Sequence, residues 1–122
     1  MNKEIMKGSI DILILILISK ENLYGYKISK IIKKKSNMTY SIGEGTLYPA
    51  LKRLESKDLI KSYWENNNLT GKRKYYSITT LGQRVLQEKL TQWNNITKLI
   101  NNCMEDWISH VKIWTIYRRY YW

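Results

Sequence analysis

The fold is decided by Glu44–Glu55, which reads EGTLYPALKRLE. Its apolar residues recur at steps of three and four positions, a spacing that predicts an amphipathic helix. The inward stripe of this helix consists of Leu47, Leu51 and Leu54. Ser41 and Glu44 have the spacing of a capping box, in which each side chain bonds the other residue's backbone amide, so we place the helix at residues 41–58.

Pro49 complicates this helix, because proline has no amide hydrogen and its ring collides with the carbonyl four residues back. That carbonyl belongs to Gly45, so the chain bends there or the regular helix starts nearer Thr46. On either alternative, the exposed face carries polar and basic side chains of the kind that bind DNA bases and phosphates. Together with the residue that starts the helix, these candidates are Ser41, Thr46, Tyr48, Lys52 and Arg53.

Two helices are predicted before this one. Ile12–Ile18 is uniformly apolar, and periodicity alone cannot separate a buried strand from a buried helix there. Apolar residues at helical spacing continue upstream to Ile5, which favours a helix of about 15 residues, buried nearly all round. The second helix, Tyr24–Lys35, carries five lysines and no acid. Such a row is usually a solvated face, but a phosphate backbone would relieve its self-repulsion.

A β-hairpin is predicted after the Glu44–Glu55 helix. Leu59–Glu65 and Lys72–Thr79 alternate in the way of strands, and residues 66–71, NNNLTG, favour a turn. The hairpin tip carries a basic run, Gly71-Lys72-Arg73-Lys74. Three helices followed by a basic-tipped hairpin indicate a winged helix-turn-helix, in which the third helix enters a major groove and the hairpin tip approaches phosphates or the minor groove. The predicted fold is therefore mainly α with a small β-hairpin.

The remaining residues predict one long helix, capped by Thr79 or Thr80, with Gly82 weakening its first turn. From residue 86 its apolar positions alternate steps of four and three, a heptad pattern that indicates pairing with another helix. The partner is the same helix of a second subunit, with some help from the N-terminal helix. The predicted interface comprises Leu86, Leu90, Trp93, Thr97, Ile100, Met104, Trp107 and Val111, with Trp114 continuing the pattern. We place the DNA-binding domain at residues 1–79 and the dimerisation helix with its aromatic tail at residues 80–122.

The charge of the chain indicates a polyanionic partner. Lys and Arg number 21 against 10 Asp and Glu, a net charge of +11, and residues 1–79 hold 15 of the basic and 7 of the acidic groups.

One cysteine and one histidine, Cys103 and His110, cannot build a metal cage, and no phosphate-binding glycine loop is present. We therefore expect no enzyme activity, no metal and no cofactor. The apolar run Ile12–Ile18 is far shorter than the roughly 20 residues of a membrane helix, so we expect a cytoplasmic protein without membrane contact.

Three segments closely resemble the PadR family. They are Leu23-Tyr24-Gly25-Tyr26, Glu44–Glu55, and Gly71–Thr79 together with Gly82. The resemblance covers about residues 5–95 and implies a dimeric transcription factor, usually a repressor, with an N-terminal winged helix. On this basis the candidate contacts with double-stranded DNA are those of the third helix and hairpin tip, joined by two from the second helix: Tyr24, Lys27, Ser41, Thr46, Tyr48, Lys52, Arg53, Lys72, Arg73 and Lys74.

The resemblance also implies a site for a small planar aromatic effector. In multidrug-sensing relatives a tryptophan early in the C-terminal helix lines a flat pocket between subunits, and Trp93 matches that position. Ile96 and Ile100 lie on the same side of the helix and complete the candidate site. The tail Val111–Trp122 matches no motif of the family. It extends the dimer helix, folds back over a pocket or lies against DNA.

The alternative from another class is a protein–protein interaction module, since winged helices sometimes bind proteins instead of DNA. Peripheral membrane binding through the lysine-rich second helix and the aromatic tail is less favoured. The basic and aromatic residues lie on different elements and do not form one amphipathic helix.

Overall fold

The structure is a computed structural model, and it describes residue 6 and residues 8–69 and 71–121. Its elements are α1 (Ile10–Lys20), β1 (Leu23–Tyr24), α2 (Gly25–Lys35), α3 (Glu44–Ser56), β2 (Ile60–Asn67), β3 (Gly71–Ile78) and α4 (Thr80–Tyr121). The four helices and the three-stranded antiparallel sheet found among these residues confirm the predicted winged helix-turn-helix. The chain comprises two compact units, Met1–Glu88 and Lys89–Trp122, and the predicted domain boundary after residue 79 stays a prediction.

The core of the first unit is aliphatic. It forms where the apolar faces of the first three helices meet the start of β2, because these faces recur at helical spacing and exclude water together. The largest fully buried side chains are Ile14, Leu15, Ile18, Ile28, Leu47, Leu51, Leu54 and Ile60. The inward stripe predicted for the third helix is therefore confirmed.

The first helix starts later than predicted. Gly8 and Ser9 form a turn in which the Ser9 amide donates to the Met6 carbonyl, and α1 begins at Ile10. An uninterrupted helix through this point is therefore wrong, and the part of the prediction upstream of Met6 lies outside the described residues. The choice of helix over strand for Ile12–Ile18 is confirmed.

The capping box predicted for the third helix is wrong. α3 begins at Glu44, with Gly43 as the extended N-cap residue and no side-chain capping bond, so Ser41 lies two residues too early to cap it. Pro49 is accommodated within α3, so a start nearer Thr46 is also wrong. The helix ends at Ser56, because Asp58 adopts a positive φ of 60° and turns the chain into β2.

The hairpin is longer than predicted. Its ladder runs from Ile60 opposite Ile78 to Asn67 opposite Gly71, so two asparagines assigned to the turn extend β2. Strand β1 was not predicted, because a two-residue strand has no periodicity to detect. It pairs with β3, Leu23 lying opposite Tyr76 and Tyr24 opposite Tyr75, so β3 is the central strand of the sheet.

The start of α4 is fixed to the base of the hairpin. Thr79 is its capping residue, since the Thr79 hydroxyl accepts a hydrogen bond from the Gly82 amide at 2.9 Å and donates to the Asp58 carbonyl at 2.7 Å. A Cβ atom on Gly82 would overlap the Leu59 carbonyl oxygen, so this close approach of the two segments requires glycine.

The long C-terminal helix is confirmed, and it remains helical through Tyr121, as expected if the tail extends it. None of the helices in the described part of the chain offers a stretch long and apolar enough to cross a membrane.

Candidate nucleic-acid interface

The third helix presents a polar face because its apolar face is used by the core. Leu47 and Leu51 are buried, whereas Thr46, Tyr48 and Lys52 are exposed. This division follows directly from the helical spacing of the sequence. The exposed side begins at the N-terminal turn of α3, which is the part of a recognition helix that approaches base edges.

A groove lies between this face, the start of α2 and the hairpin, and we call it the hairpin groove. Five of the ten predicted DNA contacts line it. Its lining residues are Tyr24, Gly25, Tyr26, Tyr48, Trp64, Lys72, Arg73, Lys74 and Tyr76. Within the described part of the chain, the three basic groups of the hairpin have no carboxylate at salt-bridge distance. The groove therefore combines aromatic surface with uncompensated positive charge.

Tyr48 is held in this groove by a glycine. A Cβ atom on Gly25 would lie 2.7 Å from the Tyr48 hydroxyl oxygen, so the phenol lies directly against the first residue of α2. The Tyr76 ring is buried nearby, and burial raises the pKa of its hydroxyl, with Glu55 and then Tyr48 adding to the rise. Glu55 accepts a hydrogen bond from the Ser62 hydroxyl, so its carboxylate is engaged at the base of the hairpin.

Arg73 rests on a row of tyrosines. Its guanidinium lies 4.3 Å from the centroid of the Tyr24 ring, a cation–π distance. Tyr24 meets Tyr75 edge-on at 5.4 Å, and Tyr75 stacks on Tyr63 at 5.7 Å. The Asn22 side-chain amide donates to the Tyr63 hydroxyl at 3.0 Å. This row ties the basic strand of the hairpin to the chain segment before α2.

A second groove lies between α2 and the loop that precedes α3, and we call it the α2 groove. Two predicted DNA contacts, Lys27 and Ser41, lie here and not in the hairpin groove. Tyr26 lines both grooves, so they adjoin at this residue. The full lining of the α2 groove is Tyr26, Lys27, Ser29, Lys30, Ile31, Lys33, Lys34, Met38, Ser41 and Ile42.

Three predicted DNA contacts lie outside both grooves. Thr46 and Lys52 are exposed on α3. Arg53 points back to α1, where its guanidinium donates to the Asp11 carboxylate at 3.2 Å. Its charge is therefore partly compensated, and it is the weakest of the predicted contacts on this geometry.

Two exposed aromatic residues of the hairpin groove, Tyr26 and Trp64, were not among the predicted DNA contacts. Their side chains are 61% and 63% exposed. Trp64 lies opposite Lys74 in the ladder, and its alternation with Ile60 along β2 was visible in the sequence. The sequence does not show that the buried face of the hairpin ends before Trp64, so the exposure of this indole could not be read from it.

The predicted effector residues lie on the solvent-exposed surface of α4 in the single chain. Trp93, Ile96 and Ile100 are 48%, 55% and 51% exposed. Of the predicted interface, Leu86 is buried, Leu90 and Met104 are half-buried, and Trp107 is exposed, while the Val111 side chain lies outside the described residues. No group of side chains able to hold a metal ion occurs among the described residues.

Comparison with known proteins identifies the family. The profile of the Transcriptional regulator PadR-like family matches residues 14–88. An uncharacterised protein of Lysinibacillus sphaericus is 40% identical over 102 residues, which cover 84% of this chain and 94% of that protein.

Solved structures agree. A transcriptional regulator from Clostridium thermocellum is 37% identical, with a TM-score of 0.76 over 84% of this chain and 96% of its own. Bacillus subtilis PadR, solved in complex with operator DNA, is 28% identical, with a TM-score of 0.59 over 66% of this chain and 44% of its own. The chain belongs to the PadR-like family of transcriptional regulators.

Proposed function

We propose that this protein binds operator DNA as a homodimer and represses transcription. The observation that carries the proposal is that Tyr48, on the exposed side of α3, lines the same groove as the uncompensated cations of the hairpin. An α-helix with its side chains is about 10–12 Å across and fits a B-DNA major groove of about 12 Å. The hairpin tip beside it places Lys72, Arg73 and Lys74 where phosphates or the minor groove run. The operator-bound structure of the Bacillus subtilis relative supports the same assignment.

The test is a mobility-shift titration on DNA from upstream of the protein's own gene. Alanine at Lys72, Arg73 and Lys74 should weaken binding to all sequences and flatten its salt dependence. The slope of log K against log salt should fall by about 0.9 for each phosphate that the variant no longer neutralises. The matched control removes the same charge at Lys57, Lys61 and Arg84, which line neither groove. Equal slopes for the two triple variants would remove the hairpin from DNA binding, and no shift by the wild type would refute the proposal.

The proposed homodimer forms through α4. All side chains from residue 91 to residue 100 are exposed in the single chain, and they include Trp93, Ile96, Leu99 and Ile100. Large apolar side chains this close together on one helix are typical of a surface that a second helix covers. A two-fold dimer would present two α3 helices to half-sites about 34 Å apart, one turn of DNA, on a pseudo-palindromic operator.

A planar aromatic effector is proposed to release the DNA. The support is the exposed indole of Trp93, flanked by Ile96 and Ile100, an apolar surface suited to stacking with a flat ring system. A panel of planar aromatic compounds should quench tryptophan fluorescence of the wild type, and Trp93→Ala should weaken binding of each active compound. The matched control, Trp64→Ala, removes an exposed indole that lies on β2 and not on α4, and it should retain binding. Unchanged affinities in Trp93→Ala would contradict this site.

A further inference from the structure

The second helix carries lysines that do not line the hairpin groove. Lys27, Lys30 and Lys34 follow one another at steps of three and four residues, so they lie along one side of α2. Lys33 lies beside them, and all four lysines line the α2 groove. Within the described part of the chain none of them has a carboxylate at salt-bridge distance. We call these four residues the α2 lysine row.

The dipole of α2 accounts for only some of the lysines in the α2 lysine row. Lysines in a last helical turn interact favourably with the negative end of the helix dipole, which accounts for Lys33 and Lys34. Lys27 and Lys30 lie in the first half of α2, where that interaction is absent or unfavourable. Like charges three and four residues apart also repel, and α2 contains no acid that would offset them. The row is therefore an arrangement that an external polyanion would stabilise.

The position of the α2 lysine row, beside the hairpin groove, indicates that the stabilising polyanion is DNA. Tyr26 lines both grooves, so the lysines of α2 line a groove that adjoins the one holding the hairpin cations. The rise from Lys27 to Lys34 is about 10 Å at 1.5 Å per residue. That length equals the axial rise of about three nucleotides of one DNA strand at 3.4 Å each.

We propose that Lys30, Lys33 and Lys34 bind backbone phosphates of DNA that flanks the operator. This inference rests on the proposed function and deepens it, because it extends the bound DNA beyond the base pairs that α3 can reach. Lysine ammonium groups attract phosphates without reading bases. Flanking DNA should therefore add affinity whatever its sequence.

The experiment compares two DNA fragments. The first is the shortest fragment that still shows sequence-specific binding, found by truncation, and the second adds about six base pairs of scrambled sequence at each end. The wild type should bind the extended fragment more tightly. Raising salt from 0.05 to 0.2 M should reduce that advantage about 40-fold for each protomer whose three lysines contact phosphates, at a slope of about 0.9 per contact.

Glutamine at Lys30, Lys33 and Lys34 should abolish the advantage of the extended fragment and leave affinity for the short fragment within about twofold. Arginine at the same positions keeps the charge and should keep the advantage. The charge-matched control is glutamine at Lys57, Lys61 and Arg84, which line neither groove. The glutamine variant should unfold close to the wild-type temperature, because the lost interaction of Lys33 and Lys34 with the helix dipole and the removed like-charge repulsion oppose each other.

The outcomes separate this inference from the proposed function. If the wild type binds neither fragment specifically, the proposed function fails. If it binds both fragments equally, or if the glutamine variant weakens binding to both to the same degree, DNA binding stands and the flanking contact is refuted.

Discussion

Among individual residues, Tyr24 has side-chain contacts that its sequence position does not reveal. The sequence predicts a direct DNA contact, and Tyr24 does line the hairpin groove. Its ring also makes a cation–π contact with the Arg73 guanidinium, and the edge-on contact with Tyr75 holds the Tyr24 ring in place. A long flexible arginine loses conformational freedom when it binds, and a side chain already held in place loses less. We therefore propose that Tyr24 holds the Arg73 side chain in position for a DNA phosphate.

Replacing Tyr24 with leucine should lower DNA affinity about 2- to 5-fold, the equivalent of a cation–π contact worth about 0.5–1 kcal/mol. Tyr24→Phe keeps the ring and should bind like the wild type. A double-mutant cycle supplies the control, measured by fluorescence anisotropy with labelled operator DNA. In an Arg73→Ala background, Tyr24→Leu should have no further effect, and fully additive effects would contradict the coupling between the two side chains.

Residues whose environment depends on distant partners could not be assigned from the sequence. Arg53 lies on the exposed side of α3 by periodicity, yet it pairs with Asp11, 42 positions away. The sequence position of Tyr26 is typical of a core residue, yet its side chain is exposed and lines both grooves. By contrast, Tyr48 is exposed on α3, as its helical spacing predicts, and the three hairpin cations lie in the strand that the sequence predicts for them.

At the level of elements, the bounds of a helix or strand were predicted best where its characteristic spacing of apolar residues repeats several times. The bounds of α2 and β3 agree with the prediction to within one residue, since each shows several periods of its own spacing. Strand β1 spans only two residues and is defined by its partner Tyr75–Tyr76. The start of α3 was misplaced because Ser41 and Glu44 match a capping motif, whereas Gly43 is the N-cap residue and Glu44 is the first helical residue instead of the third.

The junction between hairpin and α4 is an element whose stability can be tested. The sequence allowed Thr79 or Thr80 as its cap, and the structure assigns Thr79. Thr79→Ala removes this bond and the one to Asp58, so it should lower the free energy of unfolding by about 0.5–2 kcal/mol. Thr80→Ala, at the exposed neighbouring position, should change it by less than about 0.5 kcal/mol. Urea denaturation measures both, and equal effects would contradict the capping role.

For the whole molecule, the main feature is the exposed apolar side chains of α4, which we propose a second subunit covers. Burying a large aliphatic side chain contributes about 1.5–3 kcal/mol, so several such residues on one helix favour association strongly. Light scattering at micromolar concentration should give the mass of two chains. Ile100→Glu should shift the protein towards one chain, because it buries a charge in the contact, whereas Asn101→Glu adds the same charge at an adjacent exposed position and should not. A wild-type mass of one chain would refute the homodimer.

The contact between Gly82 and the Leu59 carbonyl has a consequence for the gene. Every amino-acid replacement at this position introduces a Cβ atom that collides with rigid backbone at the junction between hairpin and helix. Among variants that keep function, codon 82 should therefore accumulate only synonymous changes. Codon 8 offers the comparison, because a Cβ on Gly8 meets nothing within 4 Å. Two glycines that look alike in the sequence would leave opposite records in the history of the gene.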